Sequence, residues 1–188
     1  MGRWEPDAEG RFRIAALELF AEVGYEQTTV AAIAQRAGLT SRTFFRYFDD
    51  KREVLFKGSE WLQDTMVGAL EKTPASASIL DALSAALDAP ATFFDASRRP
   101  HSRLRSTVIA ANAELHEREL IKLAKLSAAL AQALRGRGVA EPDASLAAEA
   151  ALAVFRVSFA QWIGESETRG YSEIVQDSFA RLRVLTTG

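Results

Sequence analysis

The 188-residue chain has no cysteine. Disulfides and thiolate metal sites are therefore excluded. Histidine is nearly as scarce: His101 follows "SRRP" and His116 opens the charge run "HERE", and neither has a ligand set beside it. No nucleophile motif, phosphate-cradling glycine loop or H-E-x-x-H pattern is present, so no catalysis, cofactor or metal is expected. Hydrophobic runs are short, and none approaches the ~18 residues of a membrane span. The opening "MGRWEPDAEGR" lacks the apolar core of a signal peptide. A cytoplasmic protein without membrane contact is the expectation. Charge of one sign is lacking too. With 23 basic and 25 acidic residues the formal balance is −2, which gives no global argument for a nucleic-acid partner.

What the chain does have is helix-forming sequence. Alanine and leucine dominate, and no valine- or threonine-rich alternating segment appears. An all-α fold is expected, broken where the five prolines and eleven glycines fall. The first helix is predicted over 7–23, with Phe12, Ala16, Leu19, Phe20 and Val23 on one face and Gly24 as its stop. A second starts after Thr28 or Thr29, presents Val30, Ile33, Ala34 and Ala37, and ends at Gly38. A third covers 41–48. A fourth is capped by Asp50, with Glu53 placed to bond back in a capping box. Beyond a polar break at 71–78, helices are expected near 79–94, 103–115, 118–134, 144–163 and 171–185.

The stretch "GLTSRTFFRYFDDKREVLF", from Gly38 to Phe56, is both aromatic and cationic. Gly38 can take the positive φ of a sharp turn, Leu39 can pack between helices, and Thr40 can cap the next one. The pair around it reads as helix-turn-helix. Phe44 and Phe48, four apart, share one face and can anchor the third helix. Ser41, Arg42, Thr43 and Arg46 then point outward. Arginine can bond guanine O6 and N7 in a major groove, and hydroxyls can bond base edges or phosphates. Thr28 or Thr29 can grip a phosphate at the start of the second helix, and Lys51 can do so in the first turn of the fourth. From Arg36 to Lys57, six cations face three acids. Glycine-joined helix pairs also occur in proteins that never touch DNA, and the residues alone leave that reading open.

Residues 16–56, "ALELFAEVGYEQTTVAAIAQRAGLTSRTFFRYFDDKREVLF", resemble the DNA-binding domain of the tetracycline-repressor (TetR) family of bacterial transcription regulators. The likeness runs through Phe20, Gly24-Tyr25, Thr28-Thr29-Val30, Ile33-Ala34, Ala37-Gly38 and the aromatic cluster before Lys51. It implies a three-helix DNA-binding domain, residues 1–56, followed by a helical effector-binding and dimerisation domain, residues 57–188. It also implies a homodimer on a palindromic double-stranded DNA operator, most simply a repressor released by a small-molecule effector. Tyr47 matches a phosphate-contacting position of the family. Phe45 stands where the family often has tyrosine, so it can press on a sugar or a thymine methyl, or simply pack, but cannot donate to a phosphate. Asp49-Asp50 replaces the usual serine or proline and adds negative charge.

In the second domain, Trp61, Phe93, Phe94, Arg105, Asn112, Phe155, Phe159 and Trp162 are candidates to line an effector site. Each aromatic among them also suits an ordinary core position. Arg156 can pair at a dimer interface, face solvent or hold an acidic ligand. A stripe of Leu146, Ala150, Ala153, Val154, Val157 and Ala160, with Ile174, Phe179, Leu182 and Leu185 on the last helix, suits a four-helix dimer interface, the alternative being that both helices finish the monomer's own core. The rival reading is a helical protein-binding adaptor that does not bind DNA.

Overall fold

The computed structural model describes residues 7–187, and all regular structure among them is helical. Ten α-helices follow in order: α1 Ala8–Glu22, α2 Val30–Arg36, α3 Ser41–Phe44, α4 Glu53–Phe56, α5 Ser59–Lys72, α6 Ile79–Asp88, α7 Arg99–Ala110, α8 Ala113–Gly136, α9 Asp143–Trp162 and α10 Tyr171–Thr187. They form two compact units. Among the described residues, the first contains 7–58 together with Leu104–Glu119, and the second contains Ser59–Arg103 and 120–187. The segment 104–119, grouped with the second domain in the sequence reading, thus packs within the first unit.

In the first unit, α1 buries Phe12, Ala15, Ala16, Leu17, Leu19 and Phe20. Its expected last apolar contact, Val23, is instead 52% exposed. Gly24 ends the helix with φ 90°, the left-handed geometry that favours glycine. Thr29, not Thr28, caps α2: its Oγ1 accepts the Ala32 N–H at 3.1 Å. The small buried residues Ala34 and Ala37 allow close approach, and Gly38 turns the chain at φ 66°. Phe12 meets Phe44 edge-on at 5.2 Å and Phe48 at 6.2 Å. Val108, Ile109 and Leu115, from α7 and α8, complete this core.

The third helix is shorter than expected. Its α-type bonds run to Phe45 N–H, and the next two N–H groups, of Arg46 and Tyr47, reach back only three residues. The chain tightens there into a 3₁₀-like turn. Phe48 N–H still bonds Phe44 O, so both phenylalanines keep their place in the core.

In the second unit, α9 packs on α10, α5 on α6, and α6 on both α9 and α10. Its core includes Met66, Leu70, Leu83, Leu87, Leu130, Leu134, Trp162, Ile174 and Phe179. Two helix boundaries differ from the sequence reading. Pro90 turns the end of the expected 79–94 helix into a 3₁₀ segment. The break expected between 115 and 118 falls at 111–112, where Asn112 Nδ2 donates to Val108 O at 2.6 Å and satisfies a carbonyl at the end of α7.

Candidate nucleic-acid interface

Three contacts hold the second and third helices in place. The Arg11 guanidinium, from α1, donates to Ala37 O and to Gly38 O, pinning the glycine turn. Thr40 Oγ1 accepts the Thr43 N–H at 3.1 Å, and the two threonine hydroxyls lie 2.9 Å apart. Lys51 reaches the turn between α1 and α2. Its ammonium donates to Tyr25 O at 2.7 Å and Thr28 O at 3.1 Å, and lies 4.2 Å from the Tyr25 ring centre. This differs from the expected free cation at a helix start. The partners lie 23 to 26 residues away in sequence, so no local pattern announces them.

The local positive surplus is smaller in effect than the count suggests. Arg36 bonds Glu18 at 3.3 Å and Glu22 at 2.7 Å, and the Glu22 carboxyl sits below its ordinary range because of the Arg36 bond. Arg52 bonds Asp50 and, at 2.7 Å, Glu114. Burial pushes the Asp50 carboxyl up, but the bonds from Arg52 and from the Glu53 and Arg52 N–H groups outweigh it and lower it overall. Asp50 is not the cap of α4: the helix starts at Glu53 with Arg52 in the cap position, and Asp50 accepts the Arg52 N–H at 2.8 Å and the Glu53 N–H at 3.1 Å from the turn before it. The Glu53 carboxylate is taken by Arg118 at 2.6 Å rather than set up as the second half of a capping box.

Arg42 and Arg46 stand apart from these pairs. Both are exposed and make no ion pair or hydrogen bond among the described residues. Phe45 beside them is 59% exposed and backed edge-on by Phe44 at 5.5 Å. Thr40 is exposed; Ser41, Thr43 and Tyr47 are half-buried. Thr29 is exposed. Thr28 is not available as a phosphate grip: it is 2% exposed and its hydroxyl donates to Gly24 O at 2.7 Å. The result is a short, rigidly anchored helix offering two unpaired cations, hydroxyls and one apolar ring.

The expected effector residues divide. Trp61 and Phe93 lie 5.0 Å apart, and Phe93, Phe94, Phe159 and Trp162 continue the chain of ring contacts, with Phe155 against Phe159 at 6.1 Å. Tyr171, which the sequence reading passed over, joins them 4.7 Å from Phe94. Arg105 and Asn112 do not belong to this cluster. They lie in the first unit, where Arg105 Nε donates to Leu55 O at 2.9 Å and its Nη1 pairs with Glu119 at 3.1 Å. Burial lowers the Arg105 pKa, against the opposing pull of Glu119. A separate cleft of about 470 Å³ lies between α5 and α8, lined in part by Gln63, Val67, Gln132 and Arg137, and none of the expected effector residues reaches it.

The expected dimer stripe also needs correction. Val154, Ile174 and Phe179 are buried in the second unit's own core, because both helices must face α6. The exposed apolar residues are Leu146 at 65% and Val157 at 61% on α9, and Val184 and Leu185 on α10. Arg156 is exposed beside Val157.

Residues 14–57 match the family described as bacterial regulatory proteins of the tetR family, and residues 77–185 match the MftR C-terminal domain. The chain is 43% identical over 74 residues to the HTH-type transcriptional regulator TcmR of Streptomyces glaucescens, covering 39% of this chain and 33% of that protein. It is 36% identical over 100 residues to MftR of Mycobacterium tuberculosis, named for transcriptional regulation of mycofactocin biosynthesis, covering 53% of this chain and 50% of that one. The chain thus spans half or less of the length of these relatives. Among solved structures, a transcriptional regulator from Pseudomonas aeruginosa superposes with a TM-score of 0.68 at 20% identity, over 99% of this chain and 94% of that one. The TetR-family regulator PfmR of Thermus thermophilus does so with a TM-score of 0.54 at 26% identity, over 90% and 95%.

Proposed function

Because this chain belongs to the tetR family of bacterial regulatory proteins, we propose that it acts as a homodimeric repressor that leaves its operator when a small molecule binds. As a member of that family it is a DNA-binding transcriptional regulator, not an enzyme. The observation that carries the finer reading is the pair Arg42 and Arg46, exposed and unpaired on a helix fixed from behind by Phe44 and Phe48. A guanidinium without a protein partner keeps its fork of donors for a base edge or a phosphate.

In this reading Arg42 enters the major groove and bonds a guanine, while Ser41 and Thr43 meet base edges or the sugar-phosphate chain. Phe45 lies against a thymine methyl. Thr29, Thr40, Arg46 and Tyr47 hold phosphates. Lys51 acts first as a brace for the 25–28 turn and only through that turn on the DNA.

The second unit's exposed residues support the dimer in this reading. Leu146 and Val157 are about three turns apart on α9, and Val184 and Leu185 extend the apolar surface on α10. Two copies of such a helix pair make an isologous interface, which sets two reading helices against a palindromic site. The effector enters the aromatic cluster around Phe94, Phe155, Phe159 and Trp162, with Trp61 at its margin. It favours a dimer geometry in which the two reading helices no longer match successive major grooves.

The test is gel-shift titration on a duplex selected from a random pool. Arg42→Ala should weaken binding to the selected site by about tenfold to a hundredfold and relax the preference at one base position. Unchanged affinity and preference would remove Arg42 from base reading.

A further inference from the structure

We propose that the aromatic cluster of the second unit receives a flat aromatic carboxylate, whose oxygens are held by Arg99, Trp162 and Tyr171. This rests on the effector reading above and gives that effector a chemical class. Three buried polar atoms in adjoining side chains have no hydrogen-bond partner: Arg99 Nε, Trp162 Nε1 and the Tyr171 hydroxyl. The Arg99 guanidinium lies 5.6 Å from the Trp162 ring centre, and the Trp162 and Tyr171 rings meet edge-on at 6.1 Å. Trp162 and Tyr171 are 0% and 1% exposed, so solvent does not reach their polar atoms.

Buried polar groups are nearly always paired, and three orphans in one cluster call for a partner that the chain does not supply. Guanidinium and indole N–H groups only donate, and a phenol can donate as well. The missing group is therefore an acceptor. Carboxylate suits it better than a neutral carbonyl because one of the donors is a cation. The two terminal nitrogens of Arg99 already bond the neutral carbonyls of Glu167 and Arg169, and Arg99 makes no ion pair among the described residues. Burial, and after it the Asp88 carboxylate that accepts the Ser172 hydroxyl, raise the Tyr171 pKa and keep its phenol a donor.

The rings around the trio set the shape of the rest of the ligand. Phe94 lies 4.7 Å from Tyr171 and 5.4 Å from Trp162, and such tilted faces favour a planar aromatic body. Trp61, 46% exposed, and half-buried Phe93 stand at the margin of the cluster. Parting these two rings admits the ligand, and the apolar body then replaces ring-to-ring contacts while its carboxylate satisfies the three donors.

Isothermal titration of the full chain with 2-naphthoate, methyl 2-naphthyl ketone and naphthalene tests this. The acid should bind saturably, the ketone about tenfold more weakly, and the hydrocarbon not at all. Tyr171→Phe keeps the ring and removes only the unpaired hydroxyl. It should weaken naphthoate binding about fivefold to tenfold and leave the unfolding midpoint unchanged or raised. Equal binding of acid and hydrocarbon, no binding of any probe, or naphthoate binding that ignores Tyr171→Phe would each overturn the proposal. The same samples on operator DNA separate the two readings. Naphthoate that binds without altering DNA affinity leaves the receptor site standing and removes the effector role; DNA binding with no response at the cluster removes the receptor site alone.

Discussion

Replacing Lys51 with methionine removes a charge while keeping most of the apolar stem. The ammonium it removes lies 2.7 Å from Tyr25 O, 3.1 Å from Thr28 O and 3.4 Å from Glu26 O, and 4.2 Å from the Tyr25 ring centre. A hydrogen bond involving a charged group contributes about 1.5–3 kcal/mol net. The contact over the ring adds about 0.5–1 kcal/mol at a partly exposed site. Lys51 is half-buried, so water replaces part of what is lost. The expected cost is about 2 kcal/mol, read from urea unfolding of the full chain and from faster amide exchange at Thr28, whose N–H bonds Tyr25 O. DNA affinity should fall as well, because the turn that starts α2 loosens. A stability loss below about 0.5 kcal/mol would be that of an ordinary surface change, and it would refute the brace. An unaltered stability with a reduced salt slope for DNA binding would return Lys51 to direct phosphate contact.

The two neighbouring threonines should separate cleanly. Thr29→Ala loses the α2 cap and should cost about 1 kcal/mol in urea unfolding, whereas Thr28→Val strands the Gly24 carbonyl that Thr28 now serves, with DNA affinity changed only as far as stability is. Leu146→Glu with Val157→Glu places charges on the exposed apolar residues of α9 and should convert dimer to monomer in sedimentation, with far-ultraviolet circular dichroism unchanged; a persisting dimer would exclude this face. The Glu167 carboxyl is held down from the usual 4.5 to about 2 by its bonds from the Arg169 side chain and N–H. A carboxyl whose folded pKa is depressed stabilises the fold above its unfolded value and loses that contribution as pH falls toward the folded one. Glu167→Gln should therefore flatten the fall in urea midpoint between about pH 4.5 and 2, and an identical acid profile would mean the Arg169 pairing adds nothing.

The sequence revealed those features whose cause is local. Thr29 and Thr40 cap the helices that follow them, and Gly24 and Gly38 take positive φ, because these are properties of a few consecutive residues. The four-residue spacing of Phe44 and Phe48 placed both in the core, and even the tightened turn after Phe45 did not move them. Long-range partners were not legible. Arg11 on the Gly38 turn, Lys51 on the Tyr25 carbonyl and Arg118 on Glu53 each join residues 26 or more apart, and arginine or lysine on a helix reads the same whether its partner is water, a carbonyl or a carboxylate. Arg105 and Asn112 read as effector-site candidates because residues 57–188 read as one domain, and a segment that rejoins the first unit leaves no mark in composition or periodicity. On α9 and α10 apolar residues occur on more than one face, so periodicity alone did not separate the buried Val154 and Phe179 from the exposed Val157 and Leu185.

The central claim is that Arg42 and Arg46 are free for DNA. Fluorescence anisotropy of a selected duplex, titrated from about 50 to 200 mM salt, tests it directly with the wild type and Arg46→Ala. The logarithm of affinity should fall linearly with the logarithm of salt for the wild type, and losing one phosphate contact from each protomer should lower the slope's magnitude by about two. Adding Arg42→Ala should cut the preference for the selected duplex over random duplex by about tenfold to a hundredfold. Binding that ignores salt, or a double variant that still prefers the selected duplex as the wild type does, would contradict the account.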